Sequence, residues 1–159
     1  MTLPVPDNII KAAGLIDPVF CNSPVLTGTP LDERFSASLA LKIETLNPIR
    51  SFKGRGTDFL FQAYGDARPH TVVAASAGNF GQGLAVAAQK HGTKCIIFVA
   101  NDANPMKIDA MRRFGAEIVV AGDDLDSAKG DARLHAESLG GIFVEDGEIP
   151  AISEGAGTI

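Results

Sequence analysis

Thr71-Val72-Val73-Ala74-Ala75-Ser76-Ala77-Gly78-Asn79-Phe80-Gly81-Gln82-Gly83-Leu84-Ala85-Val86-Ala87-Ala88 is the stretch on which the reading of this chain turns. It opens with a largely apolar run, passes through a glycine-rich middle and closes on an alanine-rich run, the pattern of a strand, a turn and a helix. Such a turn is an anion cradle. Backbone N–H groups at a helix start are unpaired and carry the positive end of the helix dipole, and glycine lets a ligand approach the backbone. Upstream, Ser51-Phe52-Lys53-Gly54-Arg55-Gly56 supplies a lysine that could act as a nucleophile.

The same alternation continues on either side. Strands are expected at 71–76, 95–100, 117–121 and 141–144, and helices at 56–64, 81–91, 105–114 and 124–139, with Pro105 where a first helical turn tolerates it. Asp123, Asp124 and Asp126 suit the start of the last of these helices, where carboxylates meet the dipole. Strands alternating with helices require crossovers. The fold class is therefore α/β, with an open parallel sheet covered by helices on both faces. Before residue 31 the chain is different, with five of its nine prolines at positions 4, 6, 18, 24 and 30. That segment is expected to be irregular, apart from a short helix from Pro6 ended by Gly14. Ser38 to Glu44 alternates polar and apolar residues and reads as a strand, which would leave Lys53 just past its end.

Composition narrows the function. At 159 residues, 45% apolar and 21% charged, the chain suits one folded α/β unit rather than a disordered segment. A net charge of −5 with scattered cations argues against a nucleic-acid partner. Lys107, Arg112 and Arg113 form one small basic cluster, read as the solvated face of a helix. Cys21 and Cys95 are far apart, so neither a zinc site nor a disulfide framework is indicated and a reducing, cytoplasmic location is expected. His70, His91 and His135 lack ligand-like spacing and read as surface residues, so no metal is expected. No apolar run approaches the ~18 residues of a membrane span.

An amine attacks a carbonyl only when unprotonated, and a free lysine, with pKa ~10.4, is mostly ammonium at neutral pH. Lys53 would stand at a helix N-terminus beside Arg55 and partly buried against Phe52, and all three features disfavour the ammonium. An isolated Lys-x-Arg would read as two solvated charges; the Asn79 loop reverses that preference. Asn79 itself could be a helix N-cap, a role compatible with binding.

Together the Ser-Phe-Lys-x-Arg-Gly stretch and the Ser-Ala-Gly-Asn-Phe-Gly loop resemble the tryptophan-synthase-β-like, or fold type II, group of pyridoxal-phosphate enzymes, most closely its serine/threonine dehydratase branch. The resemblance extends through Asn104-Pro105-Met106-Lys107, Phe114-Gly115-Ala116-Glu117 and Gly155-Ala156-Gly157-Thr158-Ile159. It implies pyridoxal 5'-phosphate as cofactor, an amino acid as substrate and an ammonia-lyase activity. Lys53 would be the catalytic residue, joined to the cofactor as a Schiff base, with Phe52 and Asn79 completing the cofactor site. Ser76, Ala77, Gly78, Asn79 and Phe80 would hold the substrate carboxylate. Phe80 stands where relatives commonly carry His or Thr, which bears on which amino acid fits. β-Replacement of the cysteine-synthase type belongs to the same group and stays open.

By the same resemblance, residues 55–145 would form the family's smaller domain. Residues 1–54 and 146–159 would belong to a larger one that is incomplete in this chain. The Gly155-Ala156-Gly157 run reads as a turn before a further helix. An incomplete domain would expose apolar surface, which predicts a homo-oligomer or pairing with a complementing C-terminal half, and weak or no activity for the chain alone. Two other readings compete. One is a dinucleotide-binding module, with Asp102 as its ribose-binding acid, although Gly78, Gly81 and Gly83 give G-x-x-G-x-G, the reverse of the required order. The other is a catalytically inactive remnant.

Overall fold

The computed structural model describes residues 3–159. Helices α1 (Pro6–Leu15) and α2 (Pro18–Cys21) lead into strand β1 (Val25–Leu26), helix α3 (Leu31–Phe35) and strand β2 (Leu41–Lys42). After a 3₁₀ turn at Glu44–Leu46, helix α4 runs over Lys53–Tyr64. The alternating part follows: β3 (Thr71–Ala75), α5 (Asn79–Lys90), β4 (Lys94–Val99), α6 (Pro105–Arg113), β5 (Glu117–Val120), α7 (Leu125–Ser138) and β6 (Ile142–Phe143), closed by α8 (Pro150–Ala156).

The four strands β3 to β6 form one parallel sheet in the order β5-β4-β3-β6, as the alternation of elements required. Period-two patterning places its side chains. Val72, Ala74, Cys95, Ile97 and Val99 point into a core shared with α4, α5 and α6, whereas Val73, Ile96 and Phe98 face α7. Helix α7 meets the sheet through Ala128, Ala132 and Ala136, all buried and four residues apart, which gives a flat face. Its start is a capping box, in which Asp124 accepts from Ser127 N–H at 2.8 Å and Ser127 Oγ accepts from Asp124 N–H at 3.2 Å. At the end of α6, Gly115 has φ +85°, a conformation that costs glycine little.

Because α5 and α6 carry the chain outward from β3 to β5 on one face and α7 carries it back to β6 on the other, the strand order reverses between β3 and β6. Open α/β sheets bind ligands in the crevice at such a reversal, outside the carboxyl ends of the strands.

The N-terminal flank departs from expectation. The strand expected over 38–44 shrinks to Leu41–Lys42, paired antiparallel with Val25–Leu26 in a separate ribbon. The loop after it winds around the Asn47 side chain. That carboxamide accepts from Ile49 and Ser51 N–H and donates to the carbonyls of Glu44 and Ser51, so local side-chain bonding replaces a longer ladder. Helix α1 runs one residue past Gly14, and α4 starts at Lys53 rather than Gly56. Of the Gly155-Ala156-Gly157 run expected as a turn, Gly155 and Ala156 lie within α8 and the turn begins only at Gly157. A β-carbon at Gly155 would sit 2.6 Å from the Arg55 carbonyl oxygen, so glycine lets α8 close onto α4.

Candidate active site

Two loops meet at the strand reversal. The loop from Asn47 to Phe52 delivers Lys53 as the first residue of α4, with Ser51 Oγ accepting from Lys53 N–H at 3.3 Å. Opposite, the turn after β3 delivers Asn79 as the first residue of α5. Between them lies a cleft of about 530 Å³, lined by Phe52, Lys53, Ser76, Ala77, Gly78, Asn79 and Phe80. Every residue singled out in the sequence for the cofactor and substrate of a pyridoxal-phosphate site therefore borders one space, whereas Asp102, the ribose-binding acid of the dinucleotide reading, does not line it. Its far wall, unforeseen in the sequence, is built by Leu125 and Lys129 of α7 and by Phe143, Glu145 and Asp146 at the end of β6.

Lys53 is half-buried, and its Nζ lies 5.1 Å from the centre of the Phe52 ring and 2.6 Å from Asp146 Oδ2. The Arg55 guanidinium, expected to act on the amine, is engaged elsewhere. It is turned into the core, 1% exposed, bonded to Glu44, to the carbonyl oxygens of Cys21 and Thr158 and to the hydroxyls of Ser23 and Thr158. What Lys53 meets instead is a carboxylate, and that ion pair must open before Nζ can reach a carbonyl carbon.

The N-cap of α5 is Gly78, not Asn79. Ser76 does the capping. Its Oγ, buried, accepts from Gly78 N–H at 3.3 Å and from Gly81 N–H at 3.0 Å. Among the described residues, the N–H groups of Asn79 and Phe80 meet no acceptor, and they remain as donors at the positive end of the helix. The Asn79 side chain, released from capping, takes its carbonyl end to Lys107, whose Nζ donates to Oδ1 at 2.7 Å. Lys107 thus leaves the solvated basic face assigned to it. A lysine 28 positions away shows no local signal of such a contact.

Of the histidines read as surface residues, His70 is exposed, whereas His91 is half-buried and stacks on Phe61 with ring centres 5.4 Å apart, and His135, also half-buried, packs against Phe98. Burial, assisted by the Arg68 charge, holds the His91 imidazole below its ordinary pKa. Among the described residues no group of histidine, cysteine and carboxylate side chains could hold a metal ion, and no helix is long and apolar enough to cross a membrane. Burial pushes the Cys95 thiol up to about 12, which keeps it unreactive inside the sheet.

The donor set fits pyridoxal phosphate at its ring end. An amine for the aldehyde, a carboxamide for a phenolic oxygen and helix-start N–H groups for a carboxylate face one another across the same cleft. Comparison with known proteins agrees. A sequence model described as "Pyridoxal-phosphate dependent enzyme" matches residues 16–159. The chain is 33% identical over 138 residues to the biosynthetic L-threonine dehydratase of Pasteurella multocida, covering 86% of this chain and 27% of that protein. It is 34% identical over 141 residues to the serine racemase of Bos taurus, covering 86% of this chain and 42% of the other. Its structure superposes on the processed form of threonine deaminase isoform 2 from Solanum lycopersicum with a TM-score of 0.81 and 27% identity, covering 97% of this chain and 47% of that one. The chain thus spans less than half the length of each of these relatives. With both loops, the cleft and these matches in agreement, the chain belongs to the family of pyridoxal-phosphate-dependent enzymes.

Proposed function

We propose that this chain carries the lysine-bearing half of an amino-acid lyase active site of the threonine/serine dehydratase type. One observation carries the reading: Lys53 Nζ and the Asn79 carboxamide border the same cleft, beside the free N–H groups that start α5. When bound, pyridoxal phosphate supplies an electron sink for the bonds at the substrate Cα.

The chain's own residues do the rest. Lys53 would hold the cofactor through Nζ, and the same Nζ would be the base for the Cα proton. Asn79 Nδ2 donates to the cofactor's phenolic oxygen. The N–H groups of Asn79 and Phe80 grip the substrate carboxylate, while Ser76 Oγ, which accepts from Gly78 and Gly81 N–H, holds the loop in shape and keeps its O–H as a further donor to that carboxylate. The apolar Phe80, 6% exposed, excludes water from that end of the cleft. Residues 1–54 and 146–159 belong, in this reading, to a larger domain and residues 55–145 to a smaller one. The curated relatives named threonine dehydratase support a β-hydroxy amino acid as substrate and loss of water and ammonia as the outcome. A cytosolic setting and a homo-oligomer or a complementing half belong to the same proposal.

The test is direct. Incubation with pyridoxal phosphate, reduction with borohydride and peptide mass analysis are expected to find the label on Lys53, and Lys53→Ala is expected to abolish it. A label on another lysine, or none, overturns the reading.

A further inference from the structure

An asparagine amide can rotate by half a turn and exchange a donor for an acceptor with little change in shape, so a site that needs its N–H₂ must hold the other end. In this protein the holding group is visible. Lys107 Nζ lies 2.7 Å from Asn79 Oδ1, and Gln82 Nε2 donates to the same oxygen at 3.4 Å. An ammonium has donors and no acceptor, so the atom facing it is the carbonyl oxygen and Nδ2 is turned the other way. Lys107 is half-buried and Gln82 is 6% exposed, which shields both contacts from competing water.

The backbone brings Lys107 there by two devices. Asn104 Oδ1 accepts from Met106 N–H at 2.9 Å, and with Pro105 behind it fixes the start of α6. Farther along α6, Met111 packs directly over Gly81, where any β-carbon would collide with its sulfur. Glycine at 81 therefore lets α6 approach α5 closely enough for a lysine to span the gap.

We propose that Lys107 is a positioning residue: it locks the Asn79 amide in the orientation that offers Nδ2 to the cleft, and its charge polarises that amide into a stronger donor for an anionic oxygen. The identity of that oxygen, the phenolate of pyridoxal phosphate, rests on the proposed function; the locking of the amide does not.

Two measurements separate these. In ¹⁵N-labelled protein without cofactor, Lys107→Met is expected to shift the Asn79 side-chain N–H₂ resonances while the backbone amide spectrum stays folded. Lys107→Arg, which keeps a charged donor, is expected to leave them near the wild-type position. An unchanged Asn79 side-chain signal in Lys107→Met overturns the proposal. With pyridoxal phosphate added, Lys107→Met is expected to bind roughly tenfold more weakly, the loss typical of one hydrogen bond to a charged group, and to show a displaced absorption maximum. Lys107→Arg restores both. Wild-type binding at Lys53 combined with unaltered affinity and spectrum in Lys107→Met also overturns the proposal. Failure of the wild type to label at Lys53 instead overturns the functional reading, and the cofactor-free measurement still decides the positioning role. Should Lys107→Met not fold, Lys107→Gln, too short to span the gap, replaces it with the same expectations.

Discussion

Asp58 shows how one buried residue ties distant parts of the chain together. Its carboxylate, 1% exposed, accepts from Asp17 N–H at 2.8 Å and from Lys90 Nζ at 3.0 Å, and Lys90 also pairs with Asp17 at 2.9 Å. The Val19 N–H first, and Lys90 second, hold the Asp17 carboxyl below its usual range. Burial opposes the Lys90 charge, but the hydrogen bonds to Asp17 and Asp58 outweigh it and hold the ammonium above its usual range. The signs are opposite. A depressed carboxyl stabilises above its unfolded value near 3.8 and loses that contribution as pH falls through its lower folded value. A raised lysine stabilises below 10.5 and loses its contribution as pH rises through its higher folded value. Lys90→Met is therefore expected to cost roughly 1 kcal/mol at neutral pH, the upper range for a partly exposed pair. Melting curves from about pH 2 to about pH 11 should show the gap to wild type closing at both extremes; a gap independent of pH would refute the account. None of this was readable in the sequence, because Asp17, Asp58 and Lys90 lie on separate helices or their caps and carry no shared pattern.

At the scale of elements, the contact of α4 with α8 is set by glycine. A β-carbon on Gly155 would stand 2.6 Å from the Arg55 carbonyl oxygen and 2.8 Å from Gly56 Cα, both backbone atoms that cannot rotate away. Gly155→Ala is expected to destabilise by about 1–3 kcal/mol as α8 is forced outward. Gly14 is the control. It lies in α1 with nothing within 4 Å of the place a β-carbon would take, so Gly14→Ala is expected to be neutral or to gain about 0.5–1 kcal/mol from helix propensity. Urea unfolding of the two variants checks the contrast, and equal shifts would remove the packing explanation. The strands of the sheet were legible as short apolar runs and most of the helices from three- and four-residue apolar spacing, since a strand such as β4, with Cys95, Ile97 and Val99 on one face and Ile96 and Phe98 on the other, is buried on both. The strand expected at 38–44 was not, because Asn47 satisfies the following loop with its own side chain and pairing stops at Lys42.

Across the whole molecule, Arg55 joins the two ends of the chain. It is 1% exposed, its Nη2 lies 2.8 Å from Glu44 Oε1, and its Nη1 lies 2.8 Å from the Thr158 carbonyl oxygen. Burial works against the Glu44 charge, but hydrogen bonds from Arg55 and Ser23 hold its carboxyl below the usual range. Arg55→Met would leave that carboxylate with Ser23 alone and the carbonyl groups of Cys21 and Thr158 without the guanidinium donor. The expected loss is about 3–5 kcal/mol, the range for breaking a buried pair from one side, with acid unfolding moved to higher pH as Glu44 loses its stabilised charge. Chemical denaturation across the acid range measures both, and a loss under about 1 kcal/mol, the worth of an exposed pair, would show that the network contributes little.

Two short motifs, apolar runs of strand length and apolar spacing of three and four residues between them were enough to read the class of fold, the lysine and the asparagine loop, and the likeness of the motifs carried the cofactor family, because each is written in neighbouring residues. The partners of those groups were not. Arg55 beside Lys53 suggested a field on the amine, yet it turns into the core, while Asp146 from the end of β6 reaches Nζ across 93 positions. Lys107 looked like solvent-facing charge and proves to grip Asn79. Such contacts depend on where strand order reverses and how closely helices approach, and those are properties of packing between segments far apart in the chain, which leave no mark on any local stretch.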